Sequence, residues 1–369
     1  MVYFLLQNTL ACLRKGEITM RLVWDIAPCA ENGRNSEGSF IRLPDGKILF
    51  AYSRYNTAAS GDGADCDIAV VTSADEGETW SEPRIIVRAA QFGVGNIMSV
   101  SCLYQEDGAI GVYFLIKENE GNITFGRAVS QNGENFEAER CEIRGPLSYY
   151  VVNNDRFTRL RDGRLAAPAA MHAYAGKNSE AFGISTILIS EDDGKTFETL
   201  PIRLTIPAAD ADGVGMQEPG IFEHQDGTIR LWARTSAGYQ YECRSADGMK
   251  SFSYPAPSVF TSPTSPLEMA EHNGVLYAVY NPVPLDNFHV PTKAGWGRTP
   301  FVLRKSTDDG RTWGVPTVIE SDPERGYCYP AMFFTNDSAM LCAYCRGGQA
   351  DKACLNRLGI MKIKLDEIK

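Results

Sequence analysis

Histidine is scarce in these 369 residues. There are four, His172, His224, His272 and His289, and no two stand at the spacing of a metal-binding pair. Long apolar runs are missing too. No stretch of 18 apolar residues occurs, which removes a membrane-spanning helix. Positive charge is in deficit: 36 Lys and Arg stand against 46 Asp and Glu, a net charge of −10. Such a chain is a poor general partner for nucleic acid or an anionic membrane. Ten cysteines are present but scattered, and a single Cys-x-x-Cys pair occurs, Cys342 and Cys345. It lies in an apolar, strand-like run without a second pair or a nearby histidine, and reads as buried strand cysteine, not zinc ligation. No metal or organic cofactor is expected. Helical periodicity is nearly absent. The N-terminal Met1–Leu6 is apolar, but polar residues interrupt it and the charges follow it, the wrong order for a secretory signal. Residues 1–19 are therefore expected to be a leader or upstream start outside the fold, with residues 20–369 as one domain in the cytoplasm.

What is abundant is repetition. Ser73-Ala-Asp75-Glu-Gly77-Glu-Thr79-Trp80 returns as Ser190-Glu-Asp192-Asp-Gly194-Lys-Thr196-Phe197 and as Ser306-Thr-Asp308-Asp-Gly310-Arg-Thr312-Trp313. Degenerate copies begin at Ser130 and Ser245, so the Ser-to-Ser steps are 57, 60, 55 and 61 residues. A second signal interleaves with the first. Asp45-Gly46, Asp107-Gly108, Asp162-Gly163, Asp226-Gly227 and Asn273-Gly274 each separate two apolar strand-like runs, and Asn336-Asp337 takes the sixth place. Asp-Gly and Asn-Gly between alternating residues predict tight hairpins. Each unit thus reads as the core of a four-stranded antiparallel blade. Six turns predict an all-β chain folded as one six-bladed β-propeller. Five boxes serve six blades because the ring must close. Gly359–Leu365 is the expected last strand and Arg21–Ile26 its partner from the other terminus. The box carboxylates Asp75, Asp192 and Asp308 are read as buried acceptors for turn N–H groups, with Gly at positive φ and the aromatic plugging the strands.

The Ser-x-Asp-x-Gly-x-Thr-Trp boxes resemble the Asp-boxes of the sialidase (neuraminidase) superfamily, over essentially the whole chain after residue 20. That family clamps a sugar carboxylate with three arginines. It uses an Asp as acid/base and a Tyr nucleophile served by a Glu. An anionic nucleophile would be repelled by the carboxylate at the anomeric carbon, and a neutral phenol avoids this. The resemblance implies roles residue by residue. Glu218 in Gln217-Glu218-Pro-Gly precedes the Asp226-Gly227 hairpin and Arg234 ends its second strand, matching the base Glu and second clamp Arg. Arg298 opens the strand running into the box at Ser306 and fits the third clamp, whereas Arg304 lies nearer the turn. The loop 282–297 before it carries Phe288 and Trp296 and is expected to line substrate. Tyr329 fits the nucleophile, with Tyr327 as fallback, because residues i and i+2 of a regular strand share a face. Asp62 fits the acid/base, with Asp65 and Asp67 as alternates.

The first clamp is where the pattern departs. Arg42-Leu43-Pro44 looks like the family's motif but abuts the Asp45-Gly46 turn. Arg34 and Glu37 lie nearer the expected slot, and Arg34 is assigned to it. Glu37 in that slot would weaken carboxylate binding. Asn153-Asn154-Asp155-Arg156 is a further polar cluster, and Asp155 and Arg156 are expected to contact substrate. The implied activity is that of a retaining exo-glycosidase releasing a terminal carboxylated sugar such as sialic acid from a glycan. The rival expectations are another acidic sugar, a 2-keto sugar acid or a uronic acid, and a non-catalytic glycan-binding propeller.

Overall fold

The hairpin turns obey their residues. Asp45 accepts the backbone N–H of Lys47 while Gly46 takes a φ of 89°, and the chain reverses. Asp107, Asp162 and Asp226 accept the N–H two residues on in the same way. Asn273 and Gly274 are both left-handed, the pair whose twist matches a two-residue hairpin.

A computed structural model describes residues 19–172, 182–206, 213–283 and 295–368. The expected leader up to residue 18 and the expected loop aromatic Phe288 lie outside the described residues. The strands are β1 (Met20–Ile26), then β2 (Asn35–Arg42), β3 (Ile48–Tyr55), β4 (Cys66–Ser73) and β5 (Arg84–Val87) as blade 1. Blade 2 is β6 (Ile97–Tyr104), β7 (Ile110–Asn119), β8 (Asn122–Ser130) and β9 (Glu137–Arg140). Blade 3 holds β10 (Glu142–Arg144), β11 (Tyr150–Val151), β12 (Thr158–Arg159), β13 (Leu165–Met171), β14 (Ile184–Ser190) and β15 (Thr196–Thr199). Blade 4 is β16 (Gln217–Glu223), β17 (Ile229–Arg234), β18 (Tyr239–Ser245) and β19 (Ala256–Thr261). Blade 5 is β20 (Glu268–His272), β21 (Val275–Tyr280), β22 (Phe301–Ser306) and β23 (Thr317–Glu320). Blade 6 is β24 (Cys328–Phe334), β25 (Ala339–Cys345) and β26 (Leu358–Lys364), and β1 completes it.

The six-bladed propeller is as expected, and so is its closure. β1 pairs antiparallel with β26, from Met20 opposite Ile363 to Ile26 opposite Leu358. Six apolar clusters fill the six spaces between neighbouring blades. The one that closes the ring packs Phe40, Phe50 and Val71 of blade 1 against Leu341 and Ile360 of blade 6. Blade 3 departs from four regular strands. Its inner strand is broken into β11 and β12, and β10 adds a parallel strand outside β15. The break falls on Asn153–Arg156, whose polar side chains turn into the centre of the ring.

The boxes are structural, with one correction. Asp192 Oδ1 accepts the Thr196 N–H at 2.8 Å and the Ser190 hydroxyl at 2.7 Å, and Asp75 and Asp308 do the same for their Thr and Ser partners. Asp75 and Asp192 are exposed and Asp308 is half-buried, so none is a buried acceptor. The buried members are the serine and the glycine. Gly77, Gly133, Gly194 and Gly310 are left-handed, and a Cβ on each would meet Leu341, Leu43, Tyr113 and Arg230, a residue of the preceding blade. An exposed acceptor is worth less than a buried one. Asp192→Ala is therefore expected to cost about 1 kcal/mol, the net value of an ordinary hydrogen bond, as read by urea unfolding. Any catalytic activity the protein has should be unchanged per folded molecule. Lost turnover at normal stability would move the box into the chemistry.

The chain path then separates two faces. Inner strands run towards the Asp-Gly turns, and the third strands run back to the boxes, so turns and boxes share one face. Ion pairs and backbone contacts join them, as Arg42 to Glu76 at 2.8 Å and Asn336 N–H to Glu76 at 2.9 Å. Inner-strand starts and the loops between second and third strands share the other face.

Candidate active site

On that other face a cavity of about 370 Å³ opens over the ring centre. A repeated backbone device builds its floor. In β2, β6, β16 and β24 the register slips so that two residues oppose one on the neighbouring strand. The first of the two is left-handed in every case: Glu37 (φ 56°), Ser99 (φ 59°), Glu218 (φ 47°) and Tyr329 (φ 56°). None is glycine, so each carries a strain of order 1 kcal/mol or more that the surrounding sheet must hold. Bulges of this type re-aim a side chain. All four of these side chains line the one cavity.

The Tyr329 hydroxyl donates to Glu218 Oε1 at 2.9 Å. Arg234 Nη1 donates to Glu218 Oε2 at 2.9 Å and lies 3.4 Å from the Tyr329 oxygen. Gln217 Oε1 holds the rest of that guanidinium, accepting from Nε at 3.1 Å and Nη2 at 2.6 Å. Burial pushes the Tyr329 phenol well above its ordinary range, and the Glu218 charge adds to this against the pull of Arg234 and Arg298. The resting tyrosine is thus a neutral donor to a carboxylate.

Asp62 stands at the cavity mouth, its side chain 67% exposed, and accepts Arg34 Nη1 at 2.5 Å. Desolvation opposes its charge, yet Arg34 outweighs this and holds the carboxyl below the usual range. The alternates do not reach the cavity. Asp67 is buried in β4 and accepts the Ala89 N–H at 2.8 Å, and Asp65 lies on the loop outside the lining. Tyr327 does not line it either. It is buried between Phe301 and Tyr344, because the left-handed turn at Tyr329 breaks the alternation that would have put both tyrosines on one face.

Of the three assigned arginines, only Arg234 lines the cavity. Arg34 is buried behind it. Its Nη2 donates to Glu37 Oε2 at 2.7 Å, its Nε to Ser36 at 2.9 Å and its Nη1 to Asp62. Arg298 is buried on the far side of Tyr329, its guanidinium 5.6 Å from that ring and 5.1 Å from Trp296. It donates to Cys328 Sγ at 3.0 Å and to the Thr264 carbonyl at 3.1 Å. Arg42 and Arg304 lie on the turn-and-box face, the first with Glu76 and the second on the Trp313 and Gly314 carbonyls. Both Arg34 and Glu37 therefore stand at the first-blade position, but it is Glu37 that occupies the bulge.

Arg156 is buried and Asp155 half-buried, and neither lines the cavity. Asp155 accepts the Ser39 hydroxyl at 2.5 Å and the Met332 N–H at 3.3 Å, and burial raises its carboxyl to about 6. Arg156 pairs with Glu268 and the Leu267 carbonyl. Asn154 Nδ2 donates to the Gly38 carbonyl at 2.8 Å and reaches the Tyr329 and Pro330 carbonyls at 3.4 and 3.3 Å. The broken strand of blade 3 thus ties together the bulges of blades 1 and 6. Sequence reasoning had no signal for the opposite wall, an apolar surface of Met98, Leu115, Ile123, Tyr149 and Val151 with His172. A larger groove of about 580 Å³ opens on the box face, but its Arg127 is already held by Glu139 at 2.8 Å from Nε, and among the described residues no hydroxyl–carboxylate pair lines it. Among the described residues no cluster of His, Cys, Asp and Glu has the arrangement of a metal site.

Residues 46–342 match a family model described as BNR repeat-like domain. The fold is similar to solved structures at low identity. A Hadza microbial sialidase, Hz136, is 15% identical with a TM-score of 0.68, over 91% of this chain and 66% of that one. The NanB sialidase from Streptococcus pneumoniae is 13% identical with a TM-score of 0.67, over 95% of this chain and 71% of that one. A protein of unknown function from Dyadobacter fermentans is 16% identical with a TM-score of 0.65, over 95% of this chain and all of the other. No curated protein matches the chain.

Proposed function

The chain belongs to the BNR repeat-like domain family, and on that premise we propose that it is a retaining exo-glycosidase acting on a terminal acidic sugar. The observation that carries this is the Tyr329 hydroxyl donating to Glu218 Oε1 at 2.9 Å inside a cavity that Arg234 and Asp62 share. A phenol served by a carboxylate is the nucleophile suited to an anionic sugar, since no like charge repels the substrate. In the first step Asp62, in its protonated form and released from its ion pair with Arg34, gives its proton to the glycosidic oxygen as that oxygen's bond to the anomeric carbon breaks. Tyr329 bonds to that carbon and passes its proton to Glu218. In the second step water attacks the same carbon and yields its proton to Asp62, and the phenol leaves with the proton that Glu218 returns. Arg234 orients the ligand's anionic group.

The proposed substrate is a terminal carboxylated sugar, and sialic acid heads the series to be tested. One observation favours another acidic sugar, a uronic or 2-keto sugar acid. Glu37 fills the first-blade bulge and engages Arg34, so fewer free cations face the ligand than a three-arginine clamp supplies. A screen of aryl glycosides of sialic acid, of other 2-keto sugar acids and of uronic acids decides between them. Hydrolysis of none, with binding of one, would leave a glycan-binding propeller.

The acid/base assignment has its own test. Asp62→Asn is expected to change kcat/KM, which reads the first step alone, less than about tenfold on nitrophenyl glycosides, whose leaving group needs no proton. On an alkyl glycoside the loss should be about 10²- to 10⁴-fold. Equal loss on both substrates would remove Asp62 from proton transfer.

A further inference from the structure

Two of the four bulge residues, Glu218 and Tyr329, carry the proposed chemistry. The other two do not, and they sit side by side. Glu37 belongs to blade 1, which faces blade 4 and its Glu218 across a ring of six, and Ser99 belongs to the adjacent blade 2. Glu37 Oε2 is engaged by the protein, accepting Arg34 at 2.7 Å and the Ser36 hydroxyl at 2.9 Å. Glu37 Oε1 accepts the Ser99 hydroxyl at 3.2 Å. A carboxylate oxygen takes two donors, so Oε1 retains capacity for one from the cavity, and Ser99 Oγ keeps its own acceptor pairs. Both residues line the cavity, whereas Arg34 does not. This side of the cavity therefore presents acceptors and negative charge.

We propose that Glu37, with Ser99 beside it, is a specificity-determining subsite that takes a hydroxyl group of the bound sugar and turns a carboxylate away. The ligand then lies with its anionic group towards Arg234 and a hydroxyl towards blade 1. This rests on the glycosidase reading for its ligand class, but its geometry is independent of turnover. A charge-assisted hydrogen bond that exists only when the matching hydroxyl is present makes Glu37 discriminate between sugars that differ at one position.

The test pairs one substitution with one missing hydroxyl. The probes are the nitrophenyl glycoside that the enzyme hydrolyses fastest and its singly deoxygenated analogues. Glu37→Gln is expected to lower kcat/KM on the parent glycoside about 10- to 100-fold. One deoxy analogue should suffer a similar loss on the unaltered protein, and on that analogue Glu37→Gln should cost less than about threefold. Equal loss across all analogues would mean that Glu37 acts only through Arg34, and no loss on the parent would mean that it acts on nothing in the ligand. Either result overturns the proposal. Ser99→Ala, measured on the same series, should couple to the same hydroxyl and serves if Glu37→Gln does not fold. If the protein hydrolyses no glycoside, the function proposed above fails. The subsite is then read by calorimetry with the methyl glycosides of N-acetylneuraminic acid and glucuronic acid and their deoxy analogues. The same single-hydroxyl dependence supports it, and uniform or absent binding overturns it.

Discussion

Tyr329→Phe is expected to lower kcat on an acidic aryl glycoside by roughly three orders of magnitude or more, with ligand affinity and fold nearly unchanged. The substitution removes one oxygen. That oxygen donates to Glu218 and lies 3.4 Å from Arg234. Tyr327 cannot replace it, since it is buried away from the cavity between other aromatic rings. Glu218→Gln should produce a related loss with a different pH signature. Burial already holds the Tyr329 phenol well above its ordinary range, so without a base the reactive phenolate is rare near neutral pH. Residual activity of Glu218→Gln should therefore climb as pH rises, while that of Tyr329→Phe should not. Retention by Tyr329→Phe of more than about a tenth of the parent kcat, a barrier change under roughly 1.4 kcal/mol, would end the tyrosine mechanism.

The second large effect is on stability. Arg156→Ala is expected to destabilise the fold by about 3–5 kcal/mol, because it leaves Glu268 buried without its partner. Both side chains are nearly inaccessible, at 2% and 7% exposure. They join the broken inner strand of blade 3 to the inner strand of blade 5, and the guanidinium also lies 5.4 Å from the Trp232 ring of blade 4. Its burial is costly enough to lower Arg156 to about 10. Replacing both partners by methionine should recover most of the loss, since two matched apolar groups leave no charge stranded. Urea unfolding of the single and double variants measures this. Normal stability with weakened sugar binding in Arg156→Ala would instead return Arg156 to the ligand, as the sequence pattern had suggested.

Much of the architecture is legible because it is local. Asp45-Gly46 and its three Asp-Gly counterparts specify hairpins through contacts two residues apart, and the boxes specify a turn through contacts four residues apart. Counting the six turns yields six blades, and one box too few yields closure by the terminal strands. That Glu218 and Arg234 stand together was also legible. They pair across one hairpin, where the position of each is set by the turn between them. Asp155 and Arg156 show the limit. A run of polar residues at a strand start looks the same whether it meets ligand or holds blades together. What distinguishes the two is the approach of Ser39, Met332 and Glu268 from distant blades.

The sequence alone determined the blade count, the closing strand pair, the structural role of the boxes and the short list of polar residues near the ring centre. Each of these follows from turn chemistry, alternation and repeat length, which act over a few residues. The tertiary structure alone decided which members of that list share a cavity. Four left-handed bulges override the alternation of the inner strands, and a bulge at a non-glycine residue leaves no mark in the sequence. Tyr329 therefore faces the cavity while Tyr327 does not. Glu37 takes the bulge of blade 1 and holds Arg34 behind it, because strands from six separate blades must pack around one axis before any of these side chains meets another.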